Sequence, residues 1–279
     1  MKKAHTINVN GTLMDFHTPM IMGILNITPD SFYSESRVMD MNDLLSRAEK
    51  MLKNGADILD IGGYSSRPGA EHISEEKELE RVIPVIKEIK SKFPAAIISI
   101  DTFRSGVAKA AVENGADLIN DISGGDGDSE MFQTVKSLNV PYVIMHMQGT
   151  PQSMQINPSY KNVVQEVYKS LNKKINELNL LGVADVIVDM GFGFGKNIEH
   201  NYTLLQNIEY FHSLNCPVLV GLSRKSMIYK PLNSTPEKAL IGTIALNTIA
   251  TLKGANILRV HDVKETREMI QLYSLMKEI

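Results

Sequence analysis

Short apolar runs that stop at a polar residue recur along this chain. They are Met20–Thr28, Ile58–Gly63, Ala96–Thr102, Leu118–Ser123, Tyr142–Met147, Val186–Gly191, Val218–Ser223 and Ile257–Asp262. Most are continuous rather than alternating, the pattern of strands covered on both faces, as in a parallel sheet. Longer segments with polar faces lie between them, and Asn42–Lys53, Glu75–Ser91, Ser105–Asn114 and Pro236–Lys253 predict helices. Ahead of the first run, His5–His17 alternates polar and apolar residues around Asn10–Gly11, which predicts a short antiparallel hairpin.

A local repeat supports this parsing. Asn54-Gly-Ala-Asp57, Asn114-Gly-Ala-Asp117 and Lys253-Gly-Ala-Asn256 each precede a strand, and Gly182-Val-Ala-Asp185 nearly matches them. A glycine there ends a helix in the left-handed conformation and returns the chain to the sheet. About eight parallel strands alternating with helices close most simply as an α/β TIM barrel, (β/α)8. The expectation is one domain over residues 1–279, with the hairpin at 5–17 in front. The rival, a doubly wound open sheet, usually carries a glycine-rich turn after its first strand, and Asn26–Phe32 is not one.

Composition narrows the function. With 43% hydrophobic and 22% charged residues the chain is ordinary for a soluble globular protein, and a net charge of -3 gives no reason to expect a nucleic-acid partner. One cysteine, Cys216, cannot form an internal disulfide and reads as a packed thiol in a reducing cytoplasm. The basic Met1–Lys3 start is followed by no apolar segment, so neither a signal peptide nor a membrane span is expected.

In a barrel the carboxyl ends of the strands converge on one mouth. The tips here carry Asn26; Ser65, Ser66 and Arg67; Asp101; Asn120 and Asp121; His146 and Gln148; Asp189; Ser223, Arg224 and Lys225; and Arg259, His261 and Asp262. Any one could be a cap or turn residue. Polar tips on all the strands point to a shared site. Asp101, Asn120, Asp189 and Lys225 suit a planar heterocycle with an amino-pyrimidinone edge, whose parallel N–H groups a carboxylate can accept. Asn26, Arg67, Arg259 and His261, with no carboxylate pair nearby, suit a phosphate or diphosphate. Asn26 could also help to hold magnesium. After Asp189, the glycines Gly191, Gly193 and Gly195 would let a flat ligand approach the backbone.

Other chemistries fit less well. Gly191–Lys196 resembles a phosphate-binding loop, but the first glycine is missing at Met190 and Asn197 stands where serine or threonine is needed. Gly221-Leu-Ser-Arg-Lys225 lacks the closing glycine of a nucleophile elbow. The seven histidines form no zinc pattern.

At these residues the chain resembles the dihydropteroate synthase family. The matching motifs are Met22–Phe32, Asp60–Gly63 leading to Ser66–Ala70, Ser99–Thr102, Ile119–Ile122, Met145–Gly149, Asp189 with Gly191–Lys196, Ser223–Ser226 and Leu258–Asp262. They occur in order over nearly the whole chain after the hairpin. The resemblance implies a TIM barrel that condenses 6-hydroxymethyl-7,8-dihydropterin diphosphate with p-aminobenzoate. It implies that Asp101, Asn120, Asp189 and Lys225 hold the pterin, with Met145 and Phe194 lining its slot. Asn26, Arg67, Arg259 and His261 would take the diphosphate with magnesium. Phe32, Pro68 and Ser226 would help to form the p-aminobenzoate pocket, and the loops Thr28–Arg37 and Tyr64–Ser74 would close over the site. Family members are usually homodimers.

The chain departs from the family pattern in places. Tyr64 stands where glutamate is usual, Ser66 replaces threonine while keeping the hydroxyl, Met190 replaces proline, and Tyr33–Arg37 lacks the usual glycines. Arg67-Pro-Gly-Ala70 carries no insertion, which implies ordinary sulfonamide sensitivity. A methyltetrahydrofolate-dependent methyltransferase shares several of the strand-end residues but has no use for the diphosphate set. A catalytically silent binding barrel would not need Asn26, Arg67, Lys225, Arg259 and His261 together.

Overall fold

The structure, a computed structural model, describes residues 6–27, 41–65, 72–150, 154 and 156–277. Strands β1 (Thr6–Val9) and β2 (Thr12–Asp15) form the antiparallel hairpin, with Asn10 and Gly11 at positive φ in the turn. The chain then alternates through β3 (Met20–Asn26), α1 (Met41–Lys53), β4 (Ile58–Gly62), α2 (Glu75–Lys92), β5 (Ile97–Asp101), α3 (Ser105–Glu113) and β6 (Leu118–Asp121). It continues through α4 (Met131–Leu138), β7 (Tyr142–Met145), α5 (Val163–Leu181), β8 (Val186–Asp189), α6 (Ile198–Gln206) and β9 (Val218–Val220). The last elements are α7 (Ser226–Tyr229), α8 (Leu240–Leu252), β10 (Ile257–Val260) and α9 (Val263–Lys277). Strands β3 to β10 pair in parallel and close, β10 beside β3, into the (β/α)8 barrel that the alternation predicts.

The strands are shorter than the apolar runs, because the polar tips have already left the ladder to form the loops of the mouth. The segment Pro236–Lys253 is not one helix. Arg224 Nη1 donates to Pro236 O and Glu237 O, carbonyls that a continuous α-helix would use itself, so a 3-10 turn at Pro236–Lys238 precedes α8.

The Gly-Ala repeat has a second use. Each closing residue clamps the strand beside its own, donating from its backbone N–H and accepting with its side chain. Asp57 does so with Ile21 at 2.9 and 2.7 Å, Asp117 with Ile98 at 2.7 and 2.7 Å, and Asn256 with Val218 at 2.8 and 2.9 Å. Gly55, Gly115, Gly182 and Gly254 all sit at positive φ, as the helix-ending role requires.

Two apolar layers follow from strand alternation. Leu59, Ile61, Ile98, Ile100, Ile119, Ile144, Val188, Val220, Leu258 and Val260 face outward, where they pack in the cluster that includes the helices. Met22, Ile58, Leu118, Val143, Ile187, Leu219 and Ile257 face inward and pack with Ile7, Val9 and Met14 of the hairpin, which covers the bottom of the barrel. Full burial of each such side chain stabilises the fold by about 1.5–3 kcal/mol. Among the described residues no helix is long and apolar enough to cross a membrane.

Candidate active site

Two residues beyond each inward apolar side chain, the period-two alternation points another side chain inward, one layer nearer the mouth. From Ile58, Leu118, Val143, Ile187, Leu219 and Ile257 this step reaches Asp60, Asn120, Met145, Asp189, Gly221 and Arg259. From Ile97 it reaches Ser99 and then Asp101, and from Met22 two such steps, through Ile24, reach Asn26 at the rim. Among the described residues, the upper barrel therefore carries the carboxylates of Asp60, Asp101 and Asp189, the amides of Asn26 and Asn120, and the guanidinium of Arg259.

Arg259 lies at the centre of this layer. Its Nε donates to Asp60 Oδ2 and its Nη2 to Asp101 Oδ2, both at 2.6 Å, while Asn120 Nδ2 donates to Asp60 Oδ2 at 3.1 Å. The expectation that Arg259 has no carboxylate pair nearby is thus wrong, because Asp60 and Asp101 flank it. Burial pushes Asp101 up to about 7, with Arg259 opposing the shift and Asp60 adding to it. Burial works against the charge of Arg259, and Asp60 and Asp101 outweigh it.

Asp189 is buried, and its Oδ1 accepts from Gly191 N at 2.7 Å. Burial raises its pKa against the pull of Lys225. Lys225, the residue before α7, donates to Phe192 O at 2.5 Å and lies 4.7 Å from the Phe194 ring centroid. Burial lowers it to about 8, with Asp189 holding it up and Arg259 adding to the fall. His261 is exposed beyond β10, and its Nδ1 meets Ser223 Oγ at 3.1 Å, which orients the ring. Met145 is buried at the end of β7, and Ser226 opens α7. Phe32, Ser66, Arg67 and Pro68, with Thr28–Arg37 and the tip of the second loop, lie outside the described residues.

Several tip residues serve the scaffold instead. Asp121 faces outward, accepting from Ser123 N and Oγ, Gly125 N and Tyr142 Oη. Gln148 pairs with the Ser159 backbone. Arg224 and Asp262 form a two-bond ion pair at 2.7 and 3.0 Å. Gly191 and Gly195 accommodate protein rather than ligand: a Cβ on Gly191 would lie 2.0 Å from His146 O, and one on Gly195 2.5 Å from Gln148 O, whereas one on Gly193 would meet the Lys225 side chain at 3.2 Å.

Two residues absent from the sequence-based site belong to this region. Asp60 is fully buried and holds Arg259. It lies within a strand rather than at its tip, and only counting by two from Ile58 finds it. Lys196 closes the Gly-Phe-Gly-Phe-Gly-Lys run and is buried behind the mouth.

Among the described residues no group of three histidine, cysteine or acidic side chains is placed to hold a metal. The rim does offer oxygen donors at one corner. A Cβ on Gly62 would sit 3.3 Å from Asn26 Oδ1 and 3.6 Å from Asp101 Oδ2, so the missing side chain leaves room between an amide oxygen and a carboxylate. That donor set fits magnesium carried largely by a phosphate ligand and water.

A family described as pterin binding enzyme matches residues 22–261. The dihydropteroate synthase of Haemophilus influenzae is 46% identical over 266 residues, covering 95% of this chain and 96% of its own. That of Escherichia coli K12 is 43% identical over 264 residues, covering 94% and 93%. A Yersinia pestis dihydropteroate synthase solved with a sulfonamide drug complex matches with a TM-score of 0.93 at 38% identity, covering 99% of this chain and 100% of that one. The Xanthomonas albilineans enzyme solved with 7,8-dihydropteroate matches with a TM-score of 0.89 at 34% identity, covering the same shares. With its barrel, its acid-lined mouth and these relatives, the chain belongs to the dihydropteroate synthase family of pterin-binding enzymes.

Proposed function

We propose that this enzyme joins 6-hydroxymethyl-7,8-dihydropterin diphosphate to p-aminobenzoate, giving 7,8-dihydropteroate and diphosphate. The observation that carries the reading is the polar layer itself, in which buried Asp189 and Asn120 and partly buried Asp101 face a common space with Arg259 and Lys225. The Xanthomonas relative's 7,8-dihydropteroate complex supports the product assignment.

In this mechanism Asp101, Asn120, Asp189 and Lys225 hold the pterin edge, and Met145 and Phe194 line its slot. Arg259 and His261, with Arg67, hold the diphosphate and stabilise charge on its leaving oxygen. Such aimed donors are typically worth about 3–4 kcal/mol each. Asn26 would hold magnesium with the diphosphate at the corner beside Gly62. Bound there, magnesium would add its charge to the neutralisation of the leaving group. Asp189 and Asp101 favour positive charge on the pterin as the CH2–O bond breaks. The amine of p-aminobenzoate, in a pocket formed with Phe32, Pro68 and Ser226, forms the C–N bond and gives up one proton. An aromatic amine is nucleophilic at neutral pH, so no strong base or covalent enzyme intermediate is needed.

The same reading makes the enzyme a cytoplasmic homodimer and an ordinary sulfonamide target. The apolar outer surface of α8 and α9 supports a second copy. The deciding assay is diphosphate release from the pterin substrate with magnesium, with and without p-aminobenzoate. Release that depends on p-aminobenzoate is expected. Methyl transfer from methyltetrahydrofolate, or pterin binding without turnover, would overturn the reading.

A further inference from the structure

Lys196 takes part in none of the steps above, yet it is 2% exposed and, among the described residues, hydrogen-bonds to no carboxylate. Its Nζ instead meets a cage of neutral acceptors: Phe194 O at 2.9 Å, Gly191 O at 3.0 Å, His146 Nδ1 at 3.0 Å and His146 O at 3.1 Å. Two belong to the loop after β7 and two to the loop after β8. The loops touch backbone to backbone, since a Cβ on Gly191 would overlap His146 O. A buried cation without an acid costs stability unless its protons are well used.

The geometry points to Lys196 as the positioning residue of the pterin slot, one amine that sets where Asp189, Met145 and Phe194 stand relative to one another. Three connections carry it. Gly191, gripped at its carbonyl by Lys196, donates from its N–H to Asp189 Oδ1 at 2.7 Å. Phe194, gripped at its carbonyl, donates from its N–H to Gly191 O at 3.1 Å and presents its ring to Lys225 Nζ. His146, gripped at its carbonyl and its ring, follows Met145 directly and donates from its N–H to Asp189 O at 3.1 Å. The ring accepts from Lys196 as a neutral imidazole, in keeping with burial and the nearby ammonium, which push His146 down to about 3. Lys196 itself is lowered to about 7 by burial and held up by Asp189. With or without its third proton, it still donates to the loop carbonyls.

This inference rests on the proposed pterin substrate. It separates Lys196 from a residue that merely stabilises the barrel, because the slot should suffer while the opposite side of the site does not. The test compares the full-length wild type with Lys196→Met, which keeps the stem and removes the donors. The readouts are calorimetric affinity for 6-hydroxymethylpterin, kcat, and KM for p-aminobenzoate at saturating pterin diphosphate. Misplacing reacting groups by a fraction of an ångström is costly, so pterin affinity and kcat are expected to fall by about tenfold to a hundredfold, with the KM for p-aminobenzoate within about twofold. Wild-type pterin affinity and kcat in Lys196→Met would overturn the inference, whatever the melting temperature does. If Lys196→Met does not fold, His146→Phe decides: it removes one acceptor of the cage, and unchanged pterin affinity would overturn the inference. A wild type that neither binds the pterin nor turns over would bring down the proposed function, and this inference with it. Turnover by the wild type with unchanged variants would sink the Lys196 role alone.

Discussion

Arg259 and Asp101 are bonded at 2.6 Å, so the guanidinium engages a carboxylate that the pterin is expected to use. A pterin that takes Asp101 Oδ2 would draw it from Arg259, and the freed Nη2 would then become available to a diphosphate. Asp60 keeps Arg259 in the mouth through this exchange, because it accepts from Nε on the other edge. In Asp60→Asn the pair loses its charge-assisted bond, worth about 1.5–3 kcal/mol. We expect kcat/KM for the pterin diphosphate to fall by roughly tenfold to a hundredfold, with a smaller loss of pterin affinity. Steady-state kinetics beside calorimetry will separate the two.

Asp101 sets a pH dependence of stability. Its carboxyl is pushed up to about 7 by burial, from an ordinary value of 3.8. The unfolded chain therefore ionises first as pH rises, and the stability that Asp101 contributes is complete at low pH and lost between about pH 4 and 7. Asp101→Asn lacks this loss. The melting temperature of the variant minus that of the wild type is expected to increase from pH 4 to pH 8, and a flat difference would reject the assignment.

Lys225 sets the alkaline side of activity. Burial lowers it to about 8, so the ammonium that would meet the pterin disappears above that pH. The kcat/KM for the pterin diphosphate should fall by roughly tenfold per pH unit beyond the limb. Lys225→Arg keeps the charge and should move the limb upward. An unmoved limb would assign it to another group.

Asp189→Asn tests recognition apart from folding. The buried carboxyl already has a raised pKa, so a neutral amide costs the fold little. Loss of a charged acceptor costs the ligand about 1.5–3 kcal/mol, or roughly tenfold to a hundredfold in pterin affinity. Thermal melting and calorimetry on one preparation check this. Equal losses in both would make Asp189 a scaffold residue.

The outer face of α8 predicts self-association. Its buried side carries Thr243, Asn247 and Thr251, whereas Ile241 is 83% exposed, and Leu272 on α9 is 70% exposed. A helix with its apolar side outward is stable in water mainly when another surface covers it. Sedimentation should find a dimer for the wild type and a monomer for the double variant Ile241→Asp, Leu272→Asp.

Much of this molecule was legible in its sequence, for local reasons. Apolar runs of strand length, the Asn10–Gly11 turn and the glycines at 55, 115, 182 and 254 act through their own backbone and neighbours, so the hairpin, the strands and their parallel closure could be read in order. The strand tips directed attention to one mouth for the same reason. Reading tips without faces misled, however. Asp121 is adjacent to Asn120 in sequence yet lies on the other side of the barrel wall, because successive side chains in a strand point in opposite directions.

Partner choice across distant segments was decided only in three dimensions. Arg259 is 199 residues from Asp60 and 158 from Asp101, and no local pattern tells a guanidinium that awaits phosphate from one already held by acids. The glycines after Asp189 show the same limit: sequence gives the absence of a Cβ, but the carbonyl of His146, not a ligand, fills the space beside Gly191. Backbone preference and hydrophobic period are properties of a residue and its near neighbours, and these determined the barrel from the sequence alone. Charge pairing and burial depend on which strands become adjacent when the sheet closes, and that closure decided the chemistry of the mouth.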